Sequence, residues 1–153
     1  MTNKEIILTA HRSLGRADAK ALREKAAAGA TGTYIIEHEN AVPFWNEKQD
    51  YTNFPIGTPV QYENQIFCLI QPHNAAYYPG STPITLAALW RVKHTTNPKK
   101  AKPWVKPTST SDMYLKGECM IWTDGVIKIA KRDTVYSPEE YSADWEDYIE
   151  EEN

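Results

Sequence analysis

A catalytic reading of this chain stops at the residues it would need. Cys68, His73 and His94 are the grouping of metal-ligating types that invites attention, and their separations match no zinc-site spacing. There is no Gly-x-Ser-x-Gly, no His-Glu-x-x-His and no phosphate-binding loop. Eight carboxylates crowd between Glu139 and Asn153, a stretch without Lys or Arg. A glycosidase needs two carboxylates facing each other across a cleft, and a continuous acidic run reads instead as a solvated tail. No enzyme activity, cofactor or metal is therefore expected. What the chain has in quantity is aromatic surface: 11% of its residues, with five Trp and nine Tyr. Such rings fill small cores, and they also serve as flat binding platforms.

A length of 153 residues allows one domain or two very small ones. The net charge is −3, yet outside the acidic end 17 basic residues face 12 acidic ones, a surplus of five. That is too thin for the dense basic face expected of a nucleic-acid binder, so no nucleic acid is expected. Cys68 and Cys119 suggest buried thiols, with no disulfide framework. No run of about 18 apolar residues exists, so no membrane span is expected. "MTNKEIILTAHRSLGR" offers only "IIL" as an apolar run, short of a secretory signal. The protein is expected to be made in the cytoplasm without export by that route.

Residues 1–30 read as a helix. Thr2 and Glu5 fit a capping box. Ile7, Leu14, Ala21 and Ala28 fall seven apart, with Ala10 and Ala17 between them, giving a thin apolar stripe. Gly29 and Gly32 are natural stops. Two roles stay open for this helix: packing on its own domain, or assembly on copies of itself or on a larger partner. Residues 33–93 form a first unit. "TYIIEHE" predicts a strand, "TPVQY" and "IFCLI" predict a hairpin, and a Pro-rich excursion closes on Trp90. Residues 94–112, with three Pro and four Lys, read as a linker. Residues 113–149 form a second unit, and 150–153 an acidic tail.

The two units share a pattern at an offset of sixty. Phe54 pairs with Tyr114, Gly57 with Gly117, Val60 with Met120, Tyr62 with Trp122 and Ile66 with Val126. Asp124-Gly125 is a hairpin signal, since a tight primed turn needs positive φ. Beyond the hairpins, Pro83 precedes Trp90 by seven and Pro138 precedes Trp145 by seven. Each copy thus reads as an aromatic, a Gly, a β-hairpin, a loop, a Pro and a closing Trp. One hairpin is not stable alone. Phe54, Tyr62 and Trp90 in one copy, with Tyr114, Trp122 and Trp145 in the other, are the expected core aromatics. The predicted fold class is α+β: an N-terminal helix, then two small antiparallel β modules.

"YLKGECMIWTDGVIKIAKRDTVYSPEEYSADW", and more loosely "WNEKQDYTNFPIGTPVQYENQIFCLIQPHN" with its later Pro83 and Trp90, resemble the small chitin-binding domains of bacterial chitinases and cellulases, carbohydrate-binding modules of families five and twelve. The resemblance implies modules of carbohydrate-binding type. Where that family carries its exposed Trp pair, this chain has Pro72 and His73 in the first copy, and Arg132 and Asp133 in the second. Tyr77, Tyr78 and Tyr136 lie in the adjacent loops and are the expected sugar-stacking residues. His73, Asn74, Arg132 and Asp133 are the expected polar contacts to sugar hydroxyls. The whole chain, through "LIQPHNAAYYPG" and "LWRVKHTTNPKKAKPW", is similar to small structural proteins of tailed bacteriophages of Gram-positive bacteria. Together the resemblances imply a non-catalytic virion protein of a tail or other surface structure. Its partners would be host cell-wall or surface polysaccharide and, through the N-terminal helix, other virion proteins or copies of itself. The alternative is a scaffold or decoration protein whose modules mediate assembly.

Overall fold

A computed structural model describes residues 16–150. Its N-terminal helix, α1, covers residues 16–27, a run dominated by Ala, Arg, Lys, Glu and Leu, all good helix formers. Gly29, at φ +101°, ends it. The Gly29 N–H bonds to Ala26 O and the Ala30 N–H to Lys25 O, both at 3.1 Å. This is a Schellman cap, and it satisfies carbonyls that the helix leaves open. α1 buries Leu22 and Ala26 against Ile35, Ile36, Val42, Ile66 and Cys68. Ala17, Ala21 and Ala28 are exposed. Among the described residues the seven-residue stripe is therefore not the packed face. Alanine carries little apolar weight, and Leu22, the one large apolar side chain of α1, sets the phase. Thr2, Glu5, Ile7 and Leu14 lie outside the described residues.

"TYIIEHE" is helical, which corrects the strand predicted there. Helix α2, Gly32–Glu37, is capped by Thr31, whose hydroxyl accepts the Tyr34 N–H at 3.1 Å. The cap and the burial of Ile35 and Ile36 outweigh the β preference of the side chains. Gly32 makes the placement possible. A Cβ there would stand 2.2 Å from the His94 carbonyl oxygen, a backbone atom with no room to yield. Gly32→Ala is expected to cost about 2 kcal/mol or more. Denaturant unfolding of the variant measures this, and an unchanged midpoint would show that α2 does not seat against His94.

The first sheet is antiparallel, with β1 (Pro59–Tyr62), β2 (Gln65–Leu69) and β3 (Trp90–Lys93) in that order. Glu63 and Asn64, at φ 49° and 59°, form the two-residue turn between β1 and β2. Positive φ at both positions is the primed turn that matches strand twist. Ile66 and Cys68 face α1 and α2, while Val60, Phe67, Leu69, Trp90 and Val92 face a core that includes Tyr51. The second sheet orders β4 (Lys102–Pro103), β5 (Cys119–Ile121), β6 (Ile127–Ala130) and β7 (Trp145–Asp147). Its β4–β5 pair is parallel and the others antiparallel. Tyr114, Met120, Ala130 and Trp145 form its core, with Trp104 and Trp122 packed against them.

The repeat is present in the hydrogen bonds, and it is larger than the sequence pattern. Trp45 N–H bonds to Gln61 O at 2.8 Å, and Trp104 N–H to Ile121 O at 2.9 Å. Tyr51 accepts the Asn46 N–H on its hydroxyl at 3.0 Å, and Tyr114 accepts that of Val105 at 3.1 Å. Gly57 N–H reaches Leu69 O, and Gly117 N–H reaches Ala130 O, both at 2.8 Å. In the ladders Leu69 faces Trp90 and Ala130 faces Trp145. Tyr51, and not Phe54, is thus the counterpart of Tyr114. Phe54 is half-buried beside Tyr51, with the Arg23 guanidinium over its ring. The second hairpin turn, Thr123 to Gly125, is one residue longer than the first. The gapless pairing of Ile66 with Val126 is therefore shifted by one, and the tight primed turn sits at Glu63-Asn64 instead of Asp124-Gly125.

Within the stretch 94–112, residues 94, 95 and 101–105 are packed, which corrects the reading of that part as a linker. Trp104 is stacked on Tyr114 with centroids 5.2 Å apart. Gln65 Nε2 donates to Pro103 O at 2.7 Å, and Lys102 pairs with Glu39 at 2.9 Å. Thr95 O accepts both the N–H and the thiol of Cys119. The His94 ring lies on Tyr114, with centroids 3.7 Å apart and planes at 17°. The polar, proline-rich composition hid a parallel strand that opens the second module, just as Phe44 and Trp45 open the first.

Candidate functional site

β6 leaves the second core at Ala130, and the chain then turns through Arg132, Asp133 and Thr134. Thr134 returns to exchange two backbone hydrogen bonds with Tyr114, at 2.8 and 3.1 Å. Asp144, buried just before Trp145, accepts the Thr134 hydroxyl at 2.6 Å and pairs with Arg132 Nε. The Arg132 guanidinium lies over the Tyr141 ring, 5.1 Å from its centroid. Hydrogen bonding to Asp144, then to Tyr141, holds Arg132 above even the usual arginine range. Trp145 Nε1 donates to Tyr136 O at 2.9 Å, fixing that turn to the core. Asp133 Oδ1 accepts the Lys116 N–H at 2.8 Å.

These residues surround a groove of about 370 Å³, lined by Arg132, Asp133, Thr134, Tyr136, Tyr141 and Asp144 among others. Tyr136 and Tyr141 are 51% and 48% exposed, with centroids 6.3 Å apart and planes inclined at 47°. Chemically the groove offers two half-open rings, a fixed donor and a fixed acceptor. That set suits a ring with one apolar face and hydroxyls at its edge. Its one buried carboxylate is already engaged by Thr134 and Arg132. Among the described residues no three His, Cys, Asp or Glu side chains stand close enough to hold a metal ion.

The predicted contacts separate by module. Arg132, Asp133 and Tyr136 come together in this groove. Tyr77 and Tyr78 are exposed on a single-turn 3-10 helix, Ala75–Tyr77, and its following residue, and neither lines the groove. His73 is buried, which corrects its assignment as a sugar contact. Its Nδ1 bonds to Gln71 O at 2.8 Å, and its ring packs against Tyr51, Tyr78 and Trp90. Asn74 is committed to the turn, where its side chain accepts the Ala76 N–H at 3.0 Å. Of the expected core aromatics, Trp90, Tyr114 and Trp145 are buried, and Phe54, Tyr62 and Trp122 are half-buried against them. The sequence pattern missed Tyr141, Thr134 and Asp144. Their signal was the placement of Tyr141 and Asp144 between Pro138 and Trp145, where only the closing Trp was read.

No protein-family model matches the chain, and no curated protein matches it. No helix among the described residues is long and apolar enough to cross a membrane.

Proposed function

We propose that this is a non-catalytic glycan-binding protein of a phage particle, making its host-surface contact through the second module. The observation that carries this reading is the Arg132 guanidinium, fixed between buried Asp144 and the Tyr141 ring at the edge of a groove that Tyr136 also lines. A preorganised donor beside an open ring favours a sugar over a purely apolar ligand. The carbohydrate-binding type of the modules and the virion setting rest on the sequence resemblances. Weak single contacts suffice on a particle that displays many copies, because avidity multiplies them.

Co-sedimentation with chitin and with intact Gram-positive cell walls tests the reading. Saturable binding is expected. Removing either ring, Tyr136→Ala or Tyr141→Ala, should weaken it by about 0.5–1.5 kcal/mol, a few-fold to tenfold. Tyr77→Ala should leave it within twofold or so of the parent. Equal loss in all three variants would place binding elsewhere. A second reading, assembly through protein contacts, is favoured by the exposure of Phe44 (78%) and Ile56 (64%). No binding to any wall, together with a discrete oligomer in solution, would put that reading ahead.

A further inference from the structure

Between the two modules runs a second and larger groove, of about 690 Å³. Three of its residues are cationic: Arg91 and Lys93 from β3, and Lys116 from the second module. None of the three is in an ion pair among the described residues. The Nε of Arg91 is buried and has no hydrogen-bond partner among them. Such an atom is costly unless something accepts from it. α1 ends on this groove at Gly29, and a helix C-terminus attracts positive charge. Its Lys25 and Ala26 carbonyls are already taken by the Schellman cap, so the helix end does not use up the guanidinium. Two acidic residues line the same groove. Asp112 is engaged by the N–H groups of Thr108 and Ser109 and by the Thr108 hydroxyl. Glu118 accepts the Leu115 N–H, and burial raises its carboxyl above the usual range.

The rest of the lining carries five hydroxyls: Thr110, the Thr33 and Thr96 pair bonded to each other, Thr31, which accepts the Tyr34 N–H, and Ser111, bonded to Ser109. Its one ring is His94, which is buried and stacked on Tyr114. Single-stranded nucleic acid needs open rings on which bases can stack, and this groove has none. Cations suit phosphate, Arg bidentately and Lys as a point charge, and the hydroxyls suit a polyol. We infer that the inter-module groove binds a phosphodiester-linked polyol, a flexible anionic polymer, at a site separate from the Tyr136 groove.

Calorimetric titration of the full chain tests this with three probes: a synthetic poly(glycerol phosphate) oligomer, neutral polyglycerol of the same length, and a single-stranded DNA oligomer. Only the first should bind well, and added salt should weaken it. Lys93→Gln combined with Lys116→Gln, the first at a half-buried and the second at an exposed position, should weaken it about tenfold or more with the protein still folded by its cooperative thermal transition. Tyr136→Ala should leave it unchanged, which separates this site from the proposed glycan groove. The inference is overturned by absence of poly(glycerol phosphate) binding, by equal binding of neutral polyglycerol, by tighter binding of DNA, or by a double variant that binds like the parent.

Discussion

Trp104→Ala is expected to destabilise the protein by about 3–5 kcal/mol, the range for removing a large aromatic from a packed site. In a solvated linker the same change would fall within about 0.5 kcal/mol. The difference arises because Trp104 joins the second core on three sides. It stacks on Tyr114, and it meets Trp122 and Trp145 edge-on at 5.7 and 6.0 Å. Each such aromatic pair adds stabilisation beyond area burial, on the order of 0.5–1.5 kcal/mol. The ring also anchors β4, whose parallel pairing with β5 is short. Urea unfolding followed by tryptophan fluorescence gives the number. A shift below about 1 kcal/mol would mean that the second module closes without this segment.

The second large effect is a pH dependence centred on His94. Burial lowers its pKa to about 4, against the opposing hydrogen bond to Asp112 O. The unfolded chain titrates near the ordinary 6.5. Between those values the unfolded state holds a proton that the folded state refuses. Stability is therefore fully present above about 6.5 and falls as pH drops towards 4, by about 3 kcal/mol in all. Glu118 acts in the opposite sense, because burial raises its folded pKa and acid then favours the folded state. Comparing the wild type with His94→Phe isolates the histidine, since the ring stack on Tyr114 is kept and the titration is removed. Unfolding midpoints at pH 7, 5 and 4 should converge for the variant and diverge for the wild type. Parallel pH profiles would show that His94 titrates normally and that the module junction is open to water.

Both effects concern the junction that the sequence concealed. The hairpins were legible, because alternating apolar runs around turn residues have few other solutions. So were the closing Trp90 and Trp145, each on the last strand of its sheet. The true extent of the second unit was not legible. Trp45 fell inside the first unit as read, whereas Trp104 sits in a segment whose Pro and Lys content signals a linker, and a two-residue parallel pairing leaves no periodicity to read. The register slipped by one because a gapless overlay cannot show the extra turn residue at Asp124-Gly125. α2 was missed because two adjacent isoleucines favour a strand and outweighed the local signal of the Thr31 cap, whereas the approach of His94 to Gly32 is a tertiary fact. Of the residues that line the groove, Arg132, Asp133 and Tyr136 were singled out from the loop after β6. Tyr141 and Asp144 come from the next turn, and only the folded chain brings them under the Arg132 side chain.

The most direct measurement of the glycan reading is an amide-resolved NMR titration of the full chain with soluble fragments of the cell-wall polymer that co-sediments best. The account predicts saturable shifts concentrated at Lys131 to Tyr136 and at Tyr141 to Asp144, with Ala75 to Tyr78 unmoved. Shifts confined to the Tyr77 loop, or none at any residue, would contradict it.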